Sequence, residues 1–294
     1  MKGGAATPDI RVGQGALGIL AGGGPIPGQV ARAARDAGRP VFVIGFQGFA
    51  EPAVIENFPH EYVRLGAAGR MLELLRQHDC RDLVLVGPVR RPSLLSLRPD
   101  AEGTRILAKI GAAAFLGDDG MLAAVVRVLG EEGFTILGAH EVMETMLGAS
   151  GVVSRLKPDA AAWGDIHRGI EVARALGSVD VGQGCIVQQG IVLAVEAIEG
   201  TDAMIARSAV LARPGAGGVL IKLVKPAQDR RADLPTIGPD TITNAHKAGL
   251  RGIAYEAGGT IFTDKAGTIR AADDAGLFLI GIDPGQAAQG KERL

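Results

Sequence analysis

The chain has 294 residues, of which 47% are apolar and 21% are charged, and its formal net charge is −1. The near balance of charge excludes a protein that binds nucleic acid by bulk electrostatic attraction. The length exceeds what one hydrophobic core usually serves and therefore predicts two domains. The 44 glycines indicate many tight turns and close approaches between backbones, as in a globular α/β protein.

The first elements predict a βαβ unit: a strand at 16–21, a helix at 28–37 and a strand at 40–45. Gly22, Gly23 and Gly24 fill the turn between the first strand and the helix. Glycines at such a turn let a phosphate reach the backbone and the helix N-terminus, so we expect them to contact substrate. A purely structural turn is the alternative, because neither a P-loop lysine nor the dinucleotide fingerprint follows.

Further strands are predicted at 62–65, 82–87 and 134–141, with helices at 68–78, 104–116 and 121–132. Arg90 and Arg91 follow the strand at 82–87, where they either contact a phosphate or lie exposed in a loop. His140 is expected to make a structural hydrogen bond. These elements form an N-terminal α/β domain over residues 15–145, and the Gly-, Ser- and Pro-containing stretch 146–159 is interpreted as a linker.

Residues 160–294 are predicted to form a mixed α/β domain, because a β-hairpin around Gln188-Gln189-Gly190 interrupts the alternation of strands and helices. Its second strand ends at Glu196, which is followed by Glu199, Thr201 and Asp202. Carboxylates this close together are costly unless a cation or solvent attends them, which favours a functional role for Glu196 and Glu199.

The most highly charged stretch of this half follows a strand of β-branched residues that ends before Pro226. Four cations and two carboxylates lie there within twelve residues: Lys222, Lys225, Asp229, Arg230, Arg231 and Asp233. Such a loop suits a phosphate ester and a divalent metal, because carboxylates ligate the metal and cations neutralise the phosphate. A solvated charged loop is the alternative.

Long motifs resemble those of the LpxI-type UDP-2,3-diacylglucosamine pyrophosphatases. They are GILAGGGPIP at 18–27, GDDGML at 117–122, DVGQGCIVQQGIVLAVEAIEGTDAM at 180–204, GVLIKLVKPAQDRRADLPTIG at 218–238, GLRGIAYEAG at 249–258 and AADDAGLFLIGID at 271–283. The resemblance extends over the chain from about residue 16. It implies two α/β domains, the first Rossmann-like, that close over a lipid substrate.

The resemblance also implies Mg²⁺-dependent hydrolysis of the UDP-sugar diphosphate to UMP and 2,3-diacylglucosamine 1-phosphate in lipid A biosynthesis. Asp233, Asp229 and Lys225 are the expected catalytic residues, and Asp233, Asp229 and Glu199 the expected metal ligands. By its motif the resemblance implies that Asp233 is the family's essential aspartate, and Asp229, four residues before it, is the open alternative. The remaining residues assigned to substrate binding are Gly22, Gly23, Gly24, Arg90, Gln183, Glu196, Thr201, Lys222, Arg231 and Thr236.

The expected partner is a glycolipid nucleotide, UDP-diacylglucosamine, and not a nucleic acid. No apolar run reaches the about 18–20 residues that span a bilayer, so we expect a cytoplasmic protein that makes transient contact with the cytosolic face of the inner membrane. A homodimer is an open alternative. Two rival functions are a non-catalytic nucleotide-sugar binding protein and a nucleotide-dependent oxidoreductase; the latter lacks the expected fingerprint.

Overall fold

A computed structural model describes residues 15–90, 97–111 and 118–287 of the chain. The chain divides into two compact units, which confirms the predicted two-domain organisation. Unit 1 comprises Met1–Thr145 together with Asp229–Asp233, and unit 2 comprises Met146–Gln228 and Leu234–Leu294. The stretch 146–159, interpreted above as a linker, therefore lies in unit 2. Arg91 falls outside the described residues.

The described part of unit 1 contains a five-stranded parallel sheet. Its strands are β1 Ala16–Ala21, β2 Val41–Phe46, β3 His60–Val63, β4 Cys80–Val86 and β5 Thr135–Leu137. They lie in the order β3-β2-β1-β4-β5, which is the order of a Rossmann-type sheet, and the chain changes direction across the sheet between β1 and β4. The Rossmann-like expectation for this domain is confirmed.

Amphipathic helices cover this sheet because their apolar positions recur at helical spacing. The described helices of this region are Ile26–Asp36, Pro52–Ile55, Ala68–Gln77, Ala101–Ile110, Asp118–Glu131 and Ala139–Val142, with a 3₁₀ turn at Glu144–Met146. In helix 68–77, Leu72 and Leu75 are buried in a core that also contains Ile44 and Leu83.

The strand predicted at 134–141 is wrong in its second half, because β5 ends at Leu137 and a helix begins at Ala139. Glu141 explains the change, since its Oε1 accepts a hydrogen bond from the backbone N–H of Gly138 at 2.8 Å and so caps the new helix. The expected hydrogen bond of His140 is also not found at Nδ1, which is buried without a partner in the described part of the chain. Burial lowers the pKa of His140.

Unit 2 contains a mixed six-stranded sheet in its described residues, which confirms the predicted class of the second domain. Its strands are β6 Gly151–Val152, β7 Gly184–Gln188, β8 Ile191–Val195, β9 Val219–Lys222, β11 Gly252–Glu256 and β13 Phe278–Ile282, in the order β6-β13-β11-β9-β7-β8. Strands β9, β11 and β13 are parallel, whereas β6 pairs with β13 and β7 pairs with both β8 and β9 in antiparallel fashion. A separate pair joins β10 Thr236–Ile237 to β12 Ile261–Phe262.

The predicted hairpin is confirmed by the pairing of β7 with β8. Gln189 and Gly190 form its turn with positive φ angles of 56° and 75°. Two consecutive residues in the left-handed region match a type I′ turn, whose twist suits a two-residue hairpin.

The two faces of the unit 2 sheet carry alternate residues of the central strands, as the period of a β-strand requires. Leu220, Ile253 and Leu279 lie in one buried cluster, and Ile221, Ala254 and Ile280 lie in the other. Helices pack against both faces: Ala160–Ser178 on one, and Pro239–Lys247, Lys265–Ala275 and Thr201–Ser208 on the other, with further short elements at Ala209–Leu211 and Pro284–Ala287.

The strand pairing gathers several predicted site residues at one edge of this sheet. Lys222 ends β9 and pairs with Gly184 at the start of β7. Because β8 returns antiparallel to β7, its last residue Val195 lies opposite Cys185, and Glu196 follows at the same edge. This is the edge where the parallel strands β9, β11 and β13 end, and ligands of α/β sheets bind at such ends.

Cys80 and Cys185 are buried free thiols, as expected. Burial raises their pKa values, to about 11 for Cys80 and about 12 for Cys185. Within the residues described, no helix has both the length and the apolar character required to cross a membrane.

Candidate active site

The glycine turn of unit 1 is packed tightly against the end of β4. The N–H of Gly22 donates to the Val86 carbonyl at 2.9 Å and that of Gly23 donates to the Pro88 carbonyl at 3.0 Å. A Cβ at Gly22 would lie 2.3 Å from the Gly87 carbonyl oxygen, so two backbones approach too closely here for any side chain. Packing therefore accounts for this glycine without a ligand.

The third glycine of the turn donates elsewhere. The N–H of Gly24 bonds to Oε1 of Glu51 at 3.2 Å, so a carboxylate lies beside the turn. Each of the three glycine amides thus has a protein acceptor, and Arg90 lies exposed beyond β4. The assignment of these four residues to substrate binding stays a prediction.

Unit 2 brings four of the predicted substrate-binding residues into one hydrogen-bonded chain. The Nζ of Lys222 donates to Oγ1 of Thr201 at 2.8 Å and to the carbonyl of Thr236 at 2.9 Å. Thr201 in turn donates to Oε1 of Glu196 at 2.6 Å. Lys222 is 5% exposed and Glu196 6% exposed, so both charged groups are almost removed from water. All four residues are predicted from the sequence, but their hydrogen bonds join positions too far apart along the chain for local spacing to show the contacts.

Gln183, Lys225 and Gln228 form a second polar group after the end of β9. The Nζ of Lys225 forms an ion pair with Oδ1 of Asp180 at 2.6 Å, and its backbone N–H donates to Oε1 of Gln228 at 3.0 Å. Gln228 also lies 3.5 Å from Gln183, between Nε2 and Oε1. Asp180 is not predicted as a site residue from the sequence, because it lies 45 positions from Lys225. Its only local signal is that it lies two residues before the Gly182-Gln183-Gly184 run.

The segment Asp229–Asp233, which carries both candidate catalytic aspartates, is part of unit 1. Asp229 accepts hydrogen bonds on Oδ1 from the backbone N–H and Nε of Arg231, each at 3.0 Å, and on Oδ2 from Nη2 at 2.7 Å. The hydrogen bond to the Arg231 side chain is the main reason that the pKa of Asp229 is lowered. The backbone N–H of Asp233 donates to the Asp229 carbonyl, which closes a turn between them.

Glu199, the third expected metal ligand, is held by a cation. Its Oε1 accepts from Nε of Arg207 at 3.2 Å and from Nη2 at 2.8 Å. Hydrogen bonds to its own backbone N–H and to Arg207 lower the pKa of Glu199. Among the residues that the structure describes, no group of three or more His, Cys, Asp or Glu side chains is placed to hold a metal.

A Mg²⁺ ion needs fewer protein ligands than such a group would supply. It is commonly bound by one or two carboxylates and completes its coordination with substrate phosphate and water. Asp229 and Asp233 offer hard oxygen donors of the right kind on one short turn, so their chemistry fits the ion.

Comparisons with known proteins agree along nearly the whole chain. A family model described as the LpxI N-terminal domain matches residues 16–146, and one described as the LpxI C-terminal domain matches residues 149–280. A protein of Caulobacter vibrioides named UDP-2,3-diacylglucosamine pyrophosphatase LpxI is 43% identical over 274 residues, which cover 91% of this chain and 98% of the relative. Both family domains are therefore present in their usual order, and the chain belongs to the LpxI family.

Proposed function

We propose that this protein hydrolyses the diphosphate of UDP-2,3-diacylglucosamine to UMP and 2,3-diacylglucosamine 1-phosphate in lipid A biosynthesis. The activity named for the Caulobacter relative supports this reaction. The structural observation that carries it is the buried Lys222, whose ammonium is held at the carboxyl end of β9 by Thr201 and the Thr236 carbonyl. A fixed cation in a site with little water stabilises the negative charge that builds up on a reacting phosphate.

The reaction adds the oxygen of one water molecule to one phosphorus. It breaks the bond between that phosphorus and the oxygen that bridges the two phosphates. One phosphate leaves with the uridine and the other stays with the sugar. The attacking water loses a proton, which a carboxylate can accept. We assign this proton transfer to Asp233, which precedes Thr236 by three residues.

Asp229 is less suited to accept that proton. Its two carboxylate oxygens both bond to Arg231, and its lowered pKa makes it a weaker base. We therefore give Asp229 the role of shaping the turn that presents Asp233. Lys225, whose ammonium is paired with Asp180, is proposed to support the phosphate site by its charge.

We also propose that the activity depends on Mg²⁺, with Asp233 and Asp229 as the protein ligands. These residues would hold the ion, which would supply positive charge to neutralise the phosphate and make its phosphorus more electrophilic. Asp229 and Glu199 are the weaker candidate ligands, because Arg231 and Arg207 already pair with them, so we propose Asp233 as the main protein ligand.

A second proposal concerns where the protein meets its lipid. Unit 2 exposes large aliphatic side chains outside its core, among them Ile198 at 103%, Val210 at 87% and Val179 at 68% relative exposure. Apolar side chains of this kind gain free energy when they enter a lipid surface. We propose that the protein is cytoplasmic and uses them for transient contact with the inner membrane.

One experiment separates the proposed hydrolase from a non-catalytic binding protein. Purified full-length chain is mixed with UDP-2,3-diacylglucosamine and, in parallel, with UDP-N-acetylglucosamine, which has no acyl chains, and UMP is measured over time. We expect repeated turnover of the first substrate and little of the second. Binding of the glycolipid with no UMP above the enzyme-free control would favour the binding protein instead.

A further inference from the structure

We infer that Glu196 and Thr201 are positioning residues, which hold the Lys222 ammonium in place while Lys222 itself contacts the phosphates of the nucleotide substrate. This inference rests on the proposed function. Glu196 and Thr201, which are predicted from the sequence to bind substrate directly, are thereby given a different role.

The chemistry of the three side chains fixes the direction of every hydrogen bond between them. An ammonium only donates, and an ionised carboxylate only accepts. The Thr201 hydroxyl must therefore accept from Lys222 at 2.8 Å and donate to Glu196 at 2.6 Å. Its single proton is used by Glu196, so this hydroxyl has no donor to offer a substrate oxygen.

The burial of Lys222 explains why its ammonium needs these partners. A nearly buried ammonium is unfavourable unless a negative charge and hydrogen-bond acceptors compensate it. Glu196 supplies that charge through the Thr201 hydroxyl, and the Thr236 carbonyl supplies a further acceptor. A chain of hydrogen bonds of this kind polarises each of its members and so strengthens the hold on Lys222.

Two glycines explain how Glu196 can occupy its buried position. A Cβ at Gly184 would lie 2.8 Å from Oε2 of Glu196, and a Cβ at Gly182 would lie 2.0 Å from its carbonyl oxygen. Any side chain at either position would displace Glu196. The Gly182-Gln183-Gly184 run thus serves to seat the carboxylate.

The second carboxylate oxygen of Glu196 indicates that the residue has a functional role. Oε2 is buried and has no hydrogen-bond partner in the described part of the chain. Leaving such an oxygen without a donor is costly, so structural glutamates are rarely placed this way. The cost is consistent with a carboxylate retained for its charge beside Lys222.

The test compares two substitutions that differ by the hydroxyl. Thr201→Val keeps the shape of threonine but breaks both hydrogen bonds, whereas Thr201→Ser keeps them. We expect Thr201→Val to lower kcat for UMP release by about tenfold or more with KM changed by less than about threefold, and Thr201→Ser to retain kcat within about threefold of wild type. Thr243→Val, at an exposed threonine of the helix Pro239–Lys247, is the control. Circular dichroism checks each fold, and Glu196→Gln serves if Thr201→Val does not fold.

A double-mutant cycle with Lys222→Met separates positioning from a general structural role. If Thr201 acts through Lys222, adding Thr201→Val to Lys222→Met has no further effect on kcat, whereas independent roles give additive losses. Additive losses, wild-type kcat in Thr201→Val, or a rise confined to KM would overturn the inference. A wild-type chain that releases no UMP would instead refute the proposed function.

Discussion

Arg231 binds Asp229 through both carboxylate oxygens, with Nε 3.0 Å from Oδ1 and Nη2 2.7 Å from Oδ2. A guanidinium and a carboxylate that meet in this two-fold manner hold each other in one orientation. The turn that leads to Asp233 is thereby shaped by its own side chains, and the proposed division of roles between the two aspartates follows from this pair.

The first prediction concerns these two aspartates. Asp233→Asn keeps the size of the side chain but removes its ability to accept a proton, so we expect kcat to fall by a factor of about 10² or more while the substrate still binds. Asp229→Asn keeps one acceptor oxygen for Arg231, and we expect a smaller loss. Steady-state kinetics of UMP release measure both. Normal turnover in Asp233→Asn with an inactive Asp229→Asn would show that the catalytic assignment is wrong.

The second prediction concerns the metal. Chelation of divalent ions is expected to abolish UMP release, and added Mg²⁺ or Mn²⁺ should restore it, because carboxylate oxygens prefer such hard ions. The measurement is activity in excess chelator, then after titration with each metal. Full activity in chelator would refute the Mg²⁺ proposal.

The third prediction concerns the glycine turn of unit 1. Gly22→Ala places a methyl group 2.3 Å from a backbone oxygen, and we expect the free energy of unfolding to fall by about 1–3 kcal/mol, as for other overpacked sites. Gly23→Ala, for which the nearest atom is 3.3 Å away, is the matched milder change. Denaturant unfolding measures both. Equal stability of Gly22→Ala and wild type would show that the backbones can move apart.

The Gly23→Ala substitution also tests the predicted role of the turn in binding substrate. If substrate phosphate contacts the backbone of Gly23, then Gly23→Ala raises KM while the protein stays folded. An unchanged KM would remove the turn from the site and leave packing as its function.

The fourth prediction concerns membrane contact. Replacing Val179 and Ile198 together by serine removes two exposed aliphatic groups, and we expect binding to phospholipid vesicles to weaken about tenfold or more. Sedimentation with vesicles of phosphatidylethanolamine and phosphatidylglycerol measures the bound fraction, and Thr243→Ser is the control. Identical binding of the double variant and wild type would exclude these residues from the contact.

Much of the fold was predictable because the strands are short apolar runs bounded by glycine or proline. The helix predicted at 68–78 is observed at Ala68–Gln77, and the hairpin turn at Gln189 and Gly190 follows from its residues. The prediction that a strand continues from Phe134 to Glu141 is wrong for a specific reason. Glu141 caps a helix through the Gly138 N–H, and this contact competes with extended structure.

The candidate site was predictable in its residue types but not in its contacts. Lys222 and Glu196 lie 26 positions apart, and Thr201 links them only because three strands and a helix meet at one sheet edge. The amides of Gly22 and Gly23 looked available for phosphate in the sequence. The structure shows that they bond to the residues around the end of β4, a contact set by strand order and not by local spacing.

The most direct test of the proposed reaction is the identity of its products. Phosphorus NMR of UDP-2,3-diacylglucosamine incubated with the full chain and Mg²⁺ should show the diphosphate signals replaced by two phosphomonoester signals in equal amounts, those of UMP and the sugar 1-phosphate. A diphosphate that stays intact, or one released whole as UDP, would contradict the proposed hydrolysis.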